Sequence, residues 1–285
     1  MEKLIYVFLL VLFCTVSHAQ KRNANGEKMV SKLVMDKITV KGEVYETRTY
    51  NFSYNSKNRL IAINCDVKAY SGNRCVYTRR IIMENNGTSL KRKDYLDGKI
   101  DNRVTYKYKV DNWVITGSNR VHLPDADNDI VDIRTVYKYQ NGRLNEILLR
   151  WYVTNKDVIN WSPLKERYHY NIEYKDGNPY SANREKQREY FYEDLVNDTN
   201  INLHALLWDK EGQITISNID MEYFTEWVPF KAYNLLEKSC IGDMSYDIHT
   251  DIDYDFDEVG NLKNAYLKMA GSDVINGKIT ITYLY

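Results

Sequence analysis

The stretch from Tyr137 to Leu144, Tyr-Lys-Tyr-Gln-Asn-Gly-Arg-Leu, ends one strand, reverses in two residues and begins another. Alternation at period two puts Tyr137 and Tyr139 on one face and Lys138 and Gln140 on the other. Asn141-Gly142 then supplies the positive backbone angles that a tight hairpin turn demands. Variants of the phrase begin at Phe52, Tyr106, Ile172, Leu207 and Tyr254, and Asp97-Gly98, Asp176-Gly177 and Asn276-Gly277 carry the same turn chemistry. The aromatic markers Tyr108, Tyr139, Tyr174 and Trp208 recur every 31 to 35 residues, the mark of one repeated supersecondary unit. Two-residue connections join only antiparallel neighbours, and a single hairpin cannot bury its own aromatic face. The sequence therefore predicts a mainly β chain, an antiparallel hairpin meander forming a strongly curved sheet or barrel.

The repeat is interrupted between about Glu185 and Cys240. Asn200 or Asn202 offers a helix cap before Leu203, Leu206 and Leu207, and the segment around Leu235 and Leu236 continues in a helical idiom. A short helical insert is expected near 195–240, covering one end of the sheet or filling its interior. Residues 1–19 have a basic start at Lys3, an apolar run from Leu4 to Val16 and a small-residue exit at Ala19, which reads as a secretory signal peptide. Residues 20–36 are expected as a linker and 37–285 as one domain. Localisation would then be the periplasm or cell surface, with no transmembrane helix in the mature chain. In such an oxidising compartment Cys65 and Cys75, which flank a turn-prone segment, are the preferred disulfide pair.

Acidic and basic residues balance at 39 each, so no net field draws the chain to nucleic acid or anionic lipid. Nucleophile-elbow, zinc-protease and phosphate-loop signatures are absent from the sequence, and the histidines His122, His169, His204 and His249 are scattered. No cofactor or metal is expected. Asp125, Asp127, Asp129 and Asp132 have the alternation of a calcium loop, but Ile130 stands where its glycine belongs and Val136 where its closing glutamate belongs. Asp251, Asp253, Asp255 and Asp257 share one strand face, and basic side chains from a strand such as Val104–Val110 are expected to neutralise them in preference to a metal.

The segment from Met221 to Tyr233 is the richest in rings. Tyr223, Phe224, Trp227, Phe230 and Tyr233 are the candidate ligand-binding residues, suited to stacking on a sugar or peptide. The bland alternative is that these rings plug the barrel. The hairpin phrase, the segments Asn200–Asp209 and Leu235–Cys240, the late hairpin after Tyr254 and the terminal Ile279–Tyr285, in that order, resemble a family of secreted Gram-negative envelope domains with a porin-like fold. That resemblance covers Lys37 to Tyr285 and implies a barrel-like all-β domain without a catalytic signature; the tyrosine hairpins also look like YD-type repeats. Three functions remain open: a non-catalytic envelope module binding a glycan, peptide or envelope protein; an integral outer-membrane barrel; and a glycan-acting hydrolase. Against the second, the phenols of Tyr137, Tyr139, Tyr168 and Tyr170 run along whole strands where a membrane barrel keeps an aliphatic band.

Overall fold

The computed structural model describes residues 20–123, 129–155, 168–183, 187–202, 225–229, 232, 234–242, 248–269 and 272–285. Among these residues the secondary structure is strand and turn. The strands are β1 (Val30–Ile38), β2 (Val44–Tyr54), β3 (Leu60–Ser71), β4 (Arg74–Asn85), β5 (Leu90–Leu96), β6 (Lys99–Ile100), β7 (Val104–Asp111), β8 (Val114–His122) and β9 (Asp129–Gln140). They continue with β10 (Arg143–Asn155), β11 (Tyr168–Lys175), β12 (Asn178–Asn183), β13 (Gln187–Val196), β14 (Asn234–Gly242), β15 (Ile248–Phe256), β16 (Leu262–Met269) and β17 (Ile275–Tyr283).

Except for β6 and β7, each strand pairs antiparallel with the next along the chain, and β1 lies between β17 and β2, with Met35 opposite both Ile279 and Arg48. The circuit of ladders has one weak place. The hairpin after β5 is laddered at its tip, where Tyr95 faces Ile100 and Leu96 faces Lys99. Beyond Arg103 the chain runs on as β7 beside β5, and no register joins the two among the described residues.

Turn chemistry follows the sequence closely. Asn141 and Gly142, Asp176 and Gly177, and Asp97 and Gly98 all have positive φ, as the tight reversals require. Asn276-Gly277 is different: both residues lie inside β17, and Gly277 faces Lys37 on one side and Leu267 on the other.

Alternation puts one set of side chains on a shared interior. Leu33 and Met35, Tyr50 and Phe52, Ile63 and Cys65, Ile81 and Met83, Ile147, Ile172, Ile252, Leu267, Ile279 and Ile281 form one continuous core. An all-β chain with a single inner face is what the tyrosine hairpins require.

Three expectations are corrected. The segment around Leu235 and Leu236 is not helical: Asn234–Gly242 is β14, with Ser239 opposite Tyr190 of β13 and Thr250 of β15. Two flanking strands offer ladders there, and pairing overrides the local helical idiom. Asn200 and Asn202, the alternative helix caps, both lie in irregular backbone instead, and the expected helix from Leu203 falls outside the described residues. Residues 20–36 are not a free linker. They carry most of β1, and Lys21 donates its backbone N–H to the Leu284 carbonyl at 2.9 Å.

The third correction concerns the cysteines. In the β3–β4 hairpin Cys65 faces Ile81 and Cys75 faces Tyr70, five positions apart along the ladder. That offset corresponds to roughly 17 Å of strand, far beyond the Cα separation a disulfide tolerates. Both thiols are free, Cys65 buried and Cys75 exposed.

Candidate functional site

The turns before β3, β5, β8, β10, β12 and β16 lie at the same end as both chain termini, and that end is sealed by the segments 197–202 and 225–229. Trp227 is fully buried, and its indole N–H donates to the Leu60 carbonyl at 3.1 Å. Its own carbonyl accepts from the Ile115 N–H at 2.8 Å, and the Pro229 carbonyl accepts from Leu144 at 2.7 Å. The Glu226 carboxylate takes the Leu60 N–H at 3.0 Å. Burial pushes the Glu226 pKa above the usual carboxylate range, against the pull of that N–H and of Arg59. From the other side Asn200 accepts the Val30 N–H at 2.9 Å and donates to the Tyr54 hydroxyl at 2.9 Å.

The backbone groups met by this plug belong to Val30, Leu60, Ile115 and Leu144, at the starts of β1, β3, β8 and β10, and carbonyls at such strand starts meet a second device. Tyr54, Tyr174 and Tyr283, each near the end of a strand, donate to the carbonyls of Val30, Leu144 and Leu262 at 2.7, 2.7 and 2.9 Å. Tyr139 does the same to Ile115 at 2.5 Å. In each case the accepting residue is the first or second of the strand paired with the tyrosine's own. The hairpin phrase thus carries both halves of a latch: Tyr139 locks the preceding strand, and Leu144 is locked by the next tyrosine.

The structure therefore places Trp227 in the seal, where its ring is inaccessible to a ligand. Tyr223, Phe224, Phe230 and Tyr233 lie outside the described residues.

Towards the opposite end the same inward alternation passes from apolar to charged residues. On β1 and β2 it runs Leu33, Met35, Lys37 and Phe52, Tyr50, Arg48, Glu46. The Glu46 carboxylate is held by Lys37 Nζ at 3.1 Å and by Arg48 Nε at 2.7 Å. On β4 and β5 Asp94 is held by Arg79 at 2.5 Å and by Arg92 at 2.8 Å. Arg92 also lies 3.7 Å from the ring centroid of Tyr106 on β7, and Arg120 on β8 faces Tyr106 across the ladder.

This belt is buried: the side chains of Glu46, Arg48, Lys37, Arg92 and Asp94 expose 12 % or less, and Arg79 exposes 30 %. Burial alone pushes the Glu46 carboxyl upward, but Arg48 and Lys37 outweigh it and hold the group below its usual range. Burial and the neighbouring Arg48 push Lys37 down despite Glu46. Burial opposes the Arg92 charge, yet Asp94 and the phenols of Tyr108 and Tyr106 hold its pKa well above the ordinary value. Burial raises the Cys65 thiol to about 12, so it is inert as a nucleophile near neutrality. Chemically the belt is a set of fixed hydrogen-bond donors and positive charge.

Nothing in the sequence singled out these six residues, because alternating Lys, Glu and Arg reads as a solvent face. The signal lay in parity: Lys37 and Glu46 continue the buried side of their strands.

The two acidic segments behave differently. Asp125 and Asp127 lie outside the described residues, while Asp132 is on β9 and is held by Arg134 at 2.8 Å. On β15 the basic partner comes from β16, not from Val104–Val110: Lys268 pairs with Asp253, and the Tyr266 hydroxyl donates to Asp255 at 2.8 Å.

No family model matches the chain, and no curated relative does. Among solved structures it is similar to a porin-like protein from Bacteroides uniformis, with a TM-score of 0.60 and 13 % identity over 90 % of this chain and 98 % of that one. A porin-like protein from Bacteroides vulgatus gives a TM-score of 0.55 and 12 % identity over the same shares. The likeness to YD-type repeats gains no support from these neighbours. Identity at this level speaks to architecture alone, and the chain has a porin-like, antiparallel all-β fold.

Proposed function

We propose that the chain is an exported envelope domain that works in water as a non-catalytic binding module. The observation that carries this reading is the chemistry of the outer face. Glu146 of β10 takes Lys138 from β9 at 2.7 Å and His169 from β11 at 2.5 Å. Arg80 pairs with Asp66 at 2.6 Å across β3 and β4, and Lys268 with Asp253 across β15 and β16. Lys91, Lys93, Lys107 and Lys109 project from the same face and are exposed. A barrel immersed in lipid presents an apolar band there, and cations at mid-membrane depth cost roughly 2 to 4 kcal/mol each.

The porin-like neighbours favour a second reading, an outer-membrane barrel. Export is read from the first nineteen residues, and the Gram-negative sources of the neighbours are consistent with an envelope location.

The experiment is expression from Gln20 onward without detergent, followed by flotation with lipid vesicles. A monodisperse protein that stays at the bottom of the gradient supports the reading. Dependence on detergent, or flotation with vesicles, overturns it in favour of the membrane barrel.

A further inference from the structure

We propose that the inner-face belt, at its Arg79 end, binds an acidic sugar, recognising a carboxylate or sulfate on the ring; this rests on the reading of the chain as a water-facing binder. The first observation is charge. Among the described residues the ion pairs of Lys37, Arg48, Arg79 and Arg92 use two carboxylates, Glu46 and Asp94, and Asp101 also acts on Arg79, so cations outnumber carboxylates in this largely buried cluster. Buried positive charge without a counter-charge is costly, and an incoming oxyanion relieves it.

The second observation is an unfilled donor. Arg79 engages Asp94 through Nη2, while its Nε is buried and has no hydrogen-bond partner. The Arg79 side chain is committed to Asp94 on one side and keeps 30 % of its surface open, so the guanidinium can still donate to an oxygen of a carboxylate or sulfate. Asp94 and the stacked Arg92 hold that guanidinium in place, so little freedom remains to be lost on binding.

The third observation is a ring. Tyr77 stands two residues from Arg79 on the same strand face, towards the end opposite the plug, and exposes 39 % of its surface. A flat ring beside a cationic fork suits a sugar that bears one acidic group, because the apolar face of the pyranose stacks while the oxyanion is held. Free sulfate would use the fork and not the ring.

The test is titration calorimetry of the chain from Gln20 onward with four probes: oligogalacturonate, a sulfated galactan oligosaccharide, a neutral galactan of the same length, and inorganic sulfate. The expected result is saturable binding of one or both acidic oligosaccharides, weakening as salt rises, with little binding of the neutral chain or free sulfate. Arg79→Gln is expected to weaken that binding by roughly tenfold or more, and Tyr77→Ala, which leaves every ion pair intact, to weaken it several-fold. Lys93→Gln on the outer face is expected to change nothing.

No binding of either acidic oligosaccharide overturns the proposal, as does equal binding of acidic and neutral chains. A folded Arg79→Gln protein with unchanged affinity overturns it too. Should Arg79→Gln lose its cooperative melt, Tyr77→Ala decides alone. A soluble protein that binds only neutral glycan or a protein partner sinks this inference and leaves the wider reading standing, whereas detergent dependence sinks the wider reading.

Discussion

The phenol of Tyr174 at the end of β11 donates to the backbone carbonyl of Leu144 at the start of β10, at 2.7 Å. Burial raises the pKa of this hydroxyl, so it stays a donor throughout the physiological range. Among the described residues Tyr54, Tyr139 and Tyr283 make the same kind of contact, and together they tie strand ends that the plug alone would leave with unpaired carbonyls. Replacing Tyr174 with Phe keeps the ring and removes the donor. The expected loss is about 1 kcal/mol, read as a lower midpoint in chemical denaturation. The equivalent change at Tyr283, more deeply buried, is expected to cost at least as much. The two sites are well separated in the sheet, and the double variant is expected to show the sum.

Trp227 joins the plug to β3 through the Leu60 carbonyl. Trp227→Ala opens a cavity in a fully buried site and is expected to cost roughly 3 to 5 kcal/mol. Trp227→Phe retains most of the volume but leaves that carbonyl unsatisfied, for a loss of roughly 1 to 3 kcal/mol. Equilibrium unfolding of both variants separates packing from hydrogen bonding. Equal losses would show that the indole N–H contributes nothing.

Gly87 sits in the β4–β5 turn with φ at +92°, and a Cβ there would lie 2.8 Å from the Trp113 ring. Its carbonyl also accepts the Trp113 N–H at 2.9 Å, so the backbone has little room to retreat. Gly87→Ala is expected to destabilise by more than about 1 kcal/mol and to change the near-ultraviolet dichroism of the tryptophans. An unchanged spectrum would mean that the ring moves aside freely.

Glu46 gives a pH signature. Its folded pKa lies below its unfolded value, so its contribution to stability is fully present above the ordinary carboxylate range and is lost as pH falls through the lowered folded pKa. Glu46→Gln is expected to lower stability at neutral pH, and the gap from the parent chain to narrow as the solution is acidified below the normal glutamate pKa. Urea midpoints measured from pH 7 downward test this. A gap that stays constant over that range refutes the assignment.

Much of the architecture was legible because it is written locally. Asn141-Gly142 and Asp176-Gly177 specify a reversal by backbone sterics, and alternation around Tyr137 specifies a face. Where the reading failed, a distant partner decides. Asn276-Gly277 has the chemistry of a turn, but β1 and β16 hold it extended from both sides. Leu235-Leu236 has a helical look that two neighbouring strands override. Cys65 and Cys75 look close across a turn until the register sets them five positions apart. Of the site, the rings around Trp227 were visible as a cluster, but whether they faced a ligand or the core depended on what they covered. The belt was hidden because a charged residue and a buried one are told apart only by knowing which side of the strand is enclosed.

The interrupted ladder between β5 and β7 gives the molecule a tear line. Among the described residues the other adjoining strands are stitched by rows of amide bonds, while the contacts here include the Arg92 guanidinium lying over Tyr106 and the Gly87 and Asn85 bonds to Trp113. Such a seam parts one contact at a time instead of as a cooperative row. Amides along Val104–Asp111 are therefore expected to exchange with deuterium earlier than those of β2 or β3, and a pulling force applied across the sheet would begin to split it there.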